Sequence, residues 1–593
     1  MADINETRNA DNSKRKKISY LMLFIIIVIT LGRIVYSFVY LKGDYHSDEM
    51  WSYGLSNSYY EPFIFQNAEH TDLINIDKWV SSDIMRDYLT VDREHRFSYD
   101  SVNYNQVHDY HPPFYYYILH TICSFFPEQF SPWFGFSINI AVFIVTMVFL
   151  YKLIQEMTNS EIVALIGCIF YGLSVGAVNT FVFLRMYCVY TMFSVITFYF
   201  HQKLYHGQFT RKNMIILFVV TLLGCLTHHY YIAYAGSISA CFCIYYILKK
   251  DIKKLIVYSL VMLGSVAASL LIFPATIAHL FSGRIDDTKL TLSWQIKMTL
   301  NCMLSELFGF TIQVVPKVSY IAILIIVVVV LVIISPLFYL FRKETWFINL
   351  IKRTGVILHE LWKKIKHVDL IFVCMLISSA AMILLTALTV SVIQMWMSID
   401  RYIFNIYPEV ISLVVVALYY VLCHVLTNKK VTIFMVAFSC SVLCIASNMV
   451  GFYNYFYPKP EGSVPIQSLI DDSDCVFVVN VEIFLVTCFT QYSMDADQLY
   501  ITYSYHLRDK ILNMPEPSDS QKEIYWFIDD YSFYQEPADG AIGGLPQRGL
   551  SADQSDKLTR EQFEELVQQK YGMCSYVGVD TLFSRPFSIY RVR

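Results

Sequence analysis

Apolar residues in this chain fall in runs of roughly 20, such as Tyr20–Leu41 and Tyr320–Phe341. A helix needs about 20 such residues to cross a hydrocarbon layer of roughly 30 Å. The 593 residues are 55% apolar and only 16% charged, and the mean hydropathy is +0.44. A soluble multidomain enzyme and a disordered chain are both excluded. A membrane β-barrel does not fit, because barrel strands alternate polar with apolar residues and these runs do not.

Charge gives the runs an orientation. Residues 1–18 are polar and include Lys14-Arg15-Lys16-Lys17, which fixes the N-terminus in the cytoplasm by the positive-inside rule. The run 19–41 has no small-residue cleavage site after it and reads as an uncleaved anchor. Residues 42–111 carry 13 Asp/Glu against 5 Lys/Arg, a balance that suits the external face. Within this loop, Ile74–Tyr88 is expected to form an amphipathic surface helix. Further spans are expected near 133–152, 161–183, 186–204, 213–229, 230–248, 253–276, 317–341, 368–392, 402–427 and 430–450. The connections 203–212, 249–254 and 429–430 are basic, and 342–367 holds seven Lys/Arg against two Glu. All of these are placed inside, so 133–152 runs inward, and the apolar run 112–126 must begin and end outside. That run is short for a span and is expected to be re-entrant or to lie on the surface.

The expected fold class is an all-α polytopic membrane domain over 19–450, with about 11 spans, followed by a small extracytoplasmic α/β domain over 451–593. In that tail Cys475–Asn480, Leu499–Tyr503, Glu523–Ile528 and Phe587–Arg593 read as strands, Leu558–Tyr571 as a helix and Gly540–Gly544 as a loop. The 14 cysteines say little. Ten sit in apolar runs, where a thiol is a small hydrophobe, Cys302 is expected in a loop, and two of Cys475, Cys488 and Cys574 have the option of a disulfide. No Walker or GxGxxG motif is present, so neither a nucleotide cofactor nor a nucleic-acid partner is expected.

The candidate chemistry lies in the polar remainder. Asp48 and Glu49 follow the first span. A carboxylate at an apolar boundary is partly desolvated, which makes it a better base; the alternative is an acidic helix cap at Ser47 or Asp48. Asp109 and His111 precede Pro112-Pro113-Phe114-Tyr115-Tyr116, a helix start with aromatic residues. Arg185 before Tyr187, and Arg401 before Tyr402, fall at external joins. Arginine matches phosphate oxygens, although an arginine there also snorkels without a ligand. His228 and His229 sit in an external turn, where adjacent histidines point apart and make poor joint metal ligands.

Taken in order, Asp48-Glu49, His111-Pro112-Pro113-Phe114-Tyr115-Tyr116, Arg185-Met186-Tyr187, Thr227-His228-His229-Tyr230 and Arg401-Tyr402 resemble the motifs of GT-C glycosyltransferases. The resemblance is to the branch of protein O-mannosyltransferases and lipid A aminoarabinose transferases, and it covers roughly 20–450. It implies an inverting transferase that moves a sugar from a polyprenyl-phosphate donor to an acceptor hydroxyl on a glycan, lipid or protein at the outer face of a bacterial plasma membrane. The resemblance casts Asp48 as base with Glu49 its neighbour. Arg185, Arg401 and His111 hold the donor phosphate, and Asp109, Tyr115, Tyr187, His228, His229 and Tyr402 line the substrate. Some relatives have lysine in place of His111, so a permanent charge at that position is in doubt here. No cofactor or resident metal is implied, although the acidic first loop leaves a divalent cation open. The competing class is a transporter or flippase for a lipid-linked substrate. That class needs charges inside the spans, where few besides Arg33 are found.

Overall fold

A computed structural model describes residues 2–69, 71–281, 291–311, 369–390, 399–480, 490–518, 522–534, 557–582 and 585–593. The expected span 317–341, the basic stretch 342–367, the loop 540–544 and Cys488 lie outside these. Among the described residues, seven helices are long and apolar enough to cross a membrane: Lys14–Leu41, Pro132–Thr158, Tyr230–Leu248, Ile252–Ile272, Leu370–Thr389, Ile399–Val425 and Lys429–Val450. The pair Glu161–Leu173 and Val175–Val182, bent by 61°, forms an eighth if counted as one broken span. The expected spans 186–204 and 213–229 appear as the helices Tyr187–Tyr205 and Arg211–Cys225. The chain is thus a multi-pass membrane protein, mostly helical, with a sheet toward its C-terminus.

The run 112–126 forms the helix Phe114–Phe125, of 12 residues. At 1.5 Å per residue it is about 18 Å long, well under a bilayer's hydrocarbon thickness. Cys302, expected in a loop, sits in the helix Leu292–Phe308.

The chain divides into two units. The first holds Met1–Val35, Asn139–Phe181 and Tyr187–Asn454. Two of its charged side chains within the helices, Arg33 and Glu409, are matched to partners. Arg33 donates to the Leu173 carbonyl, to Asn448 and, at 2.9 Å, to the Tyr453 hydroxyl. Glu409, within the span Ile399–Val425, accepts from Tyr234 and, at 3.1 Å, from Ser378. A membrane carboxylate without such donors would be costly.

The second unit holds Tyr36–Ile138, Val182–Met186 and Tyr455–Arg593. It contains a six-stranded sheet of order β1-β3-β2-β4-β6-β5, with β1 Trp79–Ser81, β2 Asp474–Val479, β3 Gln498–Tyr503, β4 Ile524–Asp529, β5 Ser575–Leu582 and β6 Arg585–Arg591. The central strands β3, β2 and β4 are parallel, while β1, β6 and β5 pair antiparallel with their neighbours. All six residues of β2 and of β4 are buried. Strands covered on both faces read as continuous apolar runs, which is why Val476–Val479 and Ile524–Ile528 are legible as strands. The helix Arg560–Tyr571 packs Phe563 and Val567 against Trp526 and Tyr590. It begins in a Thr559/Gln562 capping box and ends on Gly572 at φ 81°, a left-handed conformation that glycine adopts freely. Cys475 and Cys574 are free thiols.

The surface helix expected over 74–88 does not form. Asn75 and Asp77 take φ of 60° and 55°, which breaks a helix at its start. The chain then pairs Trp79–Ser81 with β3 and turns helical only over Asp83–Leu89. That short helix presents Tyr88 to Gly54 in the helix Ser47–Asn57. A Cβ at position 54 would lie 1.9 Å from Tyr88 Cζ. Gly54→Ala is therefore expected to cost about 1–3 kcal/mol by overpacking, read as a lower melting temperature. Adding Tyr88→Leu should restore part of the loss.

Candidate functional site

The first turn of the helix Ser47–Asn57 organises the site. Its N-cap is His46 rather than Ser47 or Asp48. His46 Nδ1 accepts from the Asp48 amide at 3.0 Å, and Glu49 accepts from the His46 amide at 2.7 Å. The pattern is a capping box with histidine in the usual Ser/Thr position. His46 Nδ1 carries no proton while it accepts, so its 3.8 Å approach to Asp48 Oδ1 is not an ion pair.

The two neighbouring acids differ completely in environment. Glu49 is fully buried. Lys42 Nζ donates to both of its carboxylate oxygens, at 2.8 and 2.9 Å, and the Leu184 amide donates to Oε1 at 2.8 Å. The Lys42 and Glu49 side chains are 1% and 0% exposed. Burial pushes Glu49 up and Lys42 down, and each is the other's main restoring charge. The side chain of Asp48 keeps 15% exposure, so it is the acid that another molecule can reach.

Arg185 is buried against the same turn. Its Nη1 donates to the Asp48 carbonyl at 3.0 Å and to Ser52 Oγ at 3.2 Å. Glu49 holds the Leu184 amide and Lys42 holds the Val182 carbonyl at 3.3 Å, so the buried ion pair fixes the segment that presents Arg185.

His111 Nδ1 donates to Asp109 Oδ2 at 2.8 Å. Burial opposes charge on Asp109, but His111 and Arg185 outweigh it and hold this acid below its ordinary value. Burial and Arg185 hold His111 below 6.5 against the pull of Asp109 and Asp48. The imidazole is then neutral at pH 7, so Arg185 is the permanent cation among these groups. Tyr116 feels Arg185, Asp109 and Asp48 together, and its hydroxyl points at Met186 Sδ 4.0 Å away. Tyr115 is fully buried and packs edge-on to Tyr116 at 5.7 Å.

Asp48, Glu49, Asp109, His111, Tyr115 and Arg185 thus converge within the second unit. A different group gathers in the first unit. The Arg401 guanidinium lies over the Tyr402 ring at 5.0 Å. Tyr402 meets Tyr187 at 5.9 Å, and Tyr187 meets His228 at 5.4 Å. His228 stacks on Tyr190 at 5.1 Å, while His229 turns toward His279 at 5.5 Å. The two histidines therefore have separate surroundings, as their adjacency implied. Sequence reasoning missed Lys42, His46, Ser52 and Tyr116. His46 carried a signal, since a polar residue three before Glu49 completes a capping box.

No protein-family model and no curated protein matches this sequence. Among solved structures, the chain aligns with the apo form of ArnT from Cupriavidus metallidurans at 8% identity. That alignment covers 96% of this chain and 98% of that one, with a TM-score of 0.46. It also aligns with the same protein bound to undecaprenyl phosphate, at 8% identity over 95% and 97% with a TM-score of 0.43. The Archaeoglobus fulgidus oligosaccharyltransferase in complex with Zn and sulfate aligns at 12% identity, over 85% of this chain and 68% of that one, with a TM-score of 0.41.

Two outcomes follow from the geometry. Lys42→Met leaves the Glu49 carboxylate buried without its cation and should cost about 3–5 kcal/mol, seen as a lower melting temperature in detergent. His111 is depressed in the folded protein. Its contribution is therefore present above pH 6.5 and is lost as pH falls through its lowered value. Stability should decline on acidification below pH 6.5, and His111→Gln should flatten the upper part of that decline in a pH series of melting curves.

Proposed function

We propose that the chain is an inverting glycosyltransferase that moves a sugar from a polyprenyl-phosphate donor to an acceptor hydroxyl on the extracytoplasmic face. The observation that carries this reading is the contrast within the acidic pair: Glu49 is buried and saturated, while Asp48 remains 15% exposed beside the buried Arg185. The order of motifs along the chain supports the same reading. So does the undecaprenyl phosphate named with one structural neighbour that aligns at low identity.

In this reading Asp48 takes the proton of the acceptor hydroxyl as its oxygen attacks the anomeric carbon. The bond from that carbon to the lipid phosphate breaks, and the phosphate leaves carrying the electron pair. Arg185, permanently charged and held by Asp48 carbonyl and Ser52, stabilises the growing negative charge. His111 is neutral before the donor arrives and acts as a hydrogen-bonding partner kept in place by Asp109. Glu49 and Lys42 are positioning residues. The activated donor makes a nucleotide site unnecessary.

Purified protein given radiolabelled polyprenyl-phosphate hexose and an acceptor extract tests this. Asp48→Asn should lower transfer about 10²–10⁴-fold, the usual range for loss of a general base, with donor binding retained. Arg185→Gln should lower transfer about 10²-fold or more and weaken donor binding as well. Wild-type transfer by Asp48→Asn removes the assignment. Passage of intact labelled lipid across a vesicle without release of sugar would instead support a flippase.

A further inference from the structure

We propose that Tyr455 and Tyr492 are positioning residues for the proposed transfer, setting where Asp48 and Arg185 stand. Both come from the stretch Tyr455–Arg593, which shares the second unit with the first loop and with Val182–Met186. The inference rests on the transferase reading and gives that stretch a part in it.

The chain that leads into the helix Ser47–Asn57 is held from that stretch at two successive residues. The Gly43 amide donates to the Phe456 carbonyl at 2.6 Å. A Cβ at position 43 would lie 2.6 Å from the Tyr457 carbonyl oxygen, so glycine lets the two backbones meet. Asp44 follows, and it is buried. Its Oδ1 accepts from the Tyr45 amide at 2.8 Å, from the Tyr492 hydroxyl at 2.8 Å and from Gln491 Nε2 at 3.2 Å. Burial and the Asp44 charge hold the Tyr492 hydroxyl well above its ordinary value, so it stays a donor. Tyr492 is itself fixed. Lys459 Nζ lies 5.6 Å from its ring centre. The same ammonium donates to both Asp580 oxygens at 2.9 Å and to the Thr581 carbonyl at 2.7 Å, on β5. Between Asp44 and Asp48 stands His46, the cap on the Asp48 amide. A shift at Asp44 is therefore passed to the cap and to the proposed base.

Tyr455 does the same for the cation. Its ring is fully buried and stacks on Phe183 at 4.2 Å. Phe183 meets His46 edge-on at 5.6 Å, and His46 lies 6.4 Å from Tyr455. The Phe183 carbonyl accepts from the Arg185 amide at 2.9 Å. These three rings form one packed contact between the cap of the Asp48 helix and the segment that presents Arg185. Close packing passes displacement from one ring to the next. Base and cation are thus referred to one another through a tyrosine far along the chain.

The full-length protein in detergent, given radiolabelled polyprenyl-phosphate hexose and the acceptor extract well below its melting temperature, tests this. Tyr492→Phe keeps the ring beside Lys459 and removes only the hydroxyl. It should lower the maximal rate of transfer about 10–10²-fold, the scale of a misplacement of about 1 Å, with the donor KM unchanged. Asp44→Ala should be at least as slow, and the double variant no slower than Asp44→Ala, because Tyr492 acts through Asp44. Tyr455→Leu should lower the rate and also weaken donor binding, since Arg185 moves with Phe183. A Tyr492→Phe enzyme that melts lower but transfers at the wild-type rate makes the contact merely structural and overturns the proposal. Losses that add in the double variant overturn it as well. If Asp48→Asn is inactive while Tyr492→Phe is unimpaired, this inference falls alone. If Asp48→Asn transfers at the wild-type rate, the transferase reading falls and this inference falls with it.

Discussion

One carboxylate, Glu49, ties together three stretches of chain in the second unit. It accepts from the ammonium that ends the first span, from the amide that caps the next helix, and from the amide just before Arg185. A charge with no exposure survives only if its partners are many and close. The requirement works in both directions: the partners neutralise Glu49, and Glu49 dictates where they stand. Asp48, one residue earlier, is rotated about 100° around the helix and escapes this enclosure. The acidic pair thus differs by helix geometry, with Glu49 enclosed and Asp48 left 15% exposed.

Much of this was legible in the sequence. The shortness of the apolar run 112–126 was legible from its length alone, and it forms the 12-residue helix Phe114–Phe125. The strands β2 and β4 were legible because their residues are apolar without interruption. The strand β1 was not. Its three residues include no apolar run, and their partner lies far along the chain, so no local pattern announces them. The helix misread over 74–88 failed for a related reason. Spacing of apolar residues says nothing of the positive φ at Asn75 and Asp77, which tertiary contacts impose.

The candidate site shows the same boundary. Residue types pointed to Asp48, Arg185 and the Asp109–His111 pair, because carboxylates, guanidinium groups and imidazoles are the groups that carry such chemistry. They did not separate Asp48 from Glu49. That distinction is one of burial, set by Lys42 and by backbone amides that every residue possesses. Glu409 was passed over because one acid in a span is inconspicuous until Tyr234 and Ser378 are seen to face it.

The pairing of Trp79 with Tyr500 has a consequence for how the molecule is made. A strand synthesised early must wait for a partner made about four hundred residues later, after the intervening helices. Contacts so remote in sequence form slowly, since the loop they close is long. Until then the Trp79 indole, which ends by donating to the Pro515 carbonyl at 2.7 Å, has no sheet to rest on. The first loop therefore reaches its final shape as a late event in biogenesis, and the proposed base on Asp48 belongs to a unit that becomes whole only once the C-terminal sheet has closed over β1.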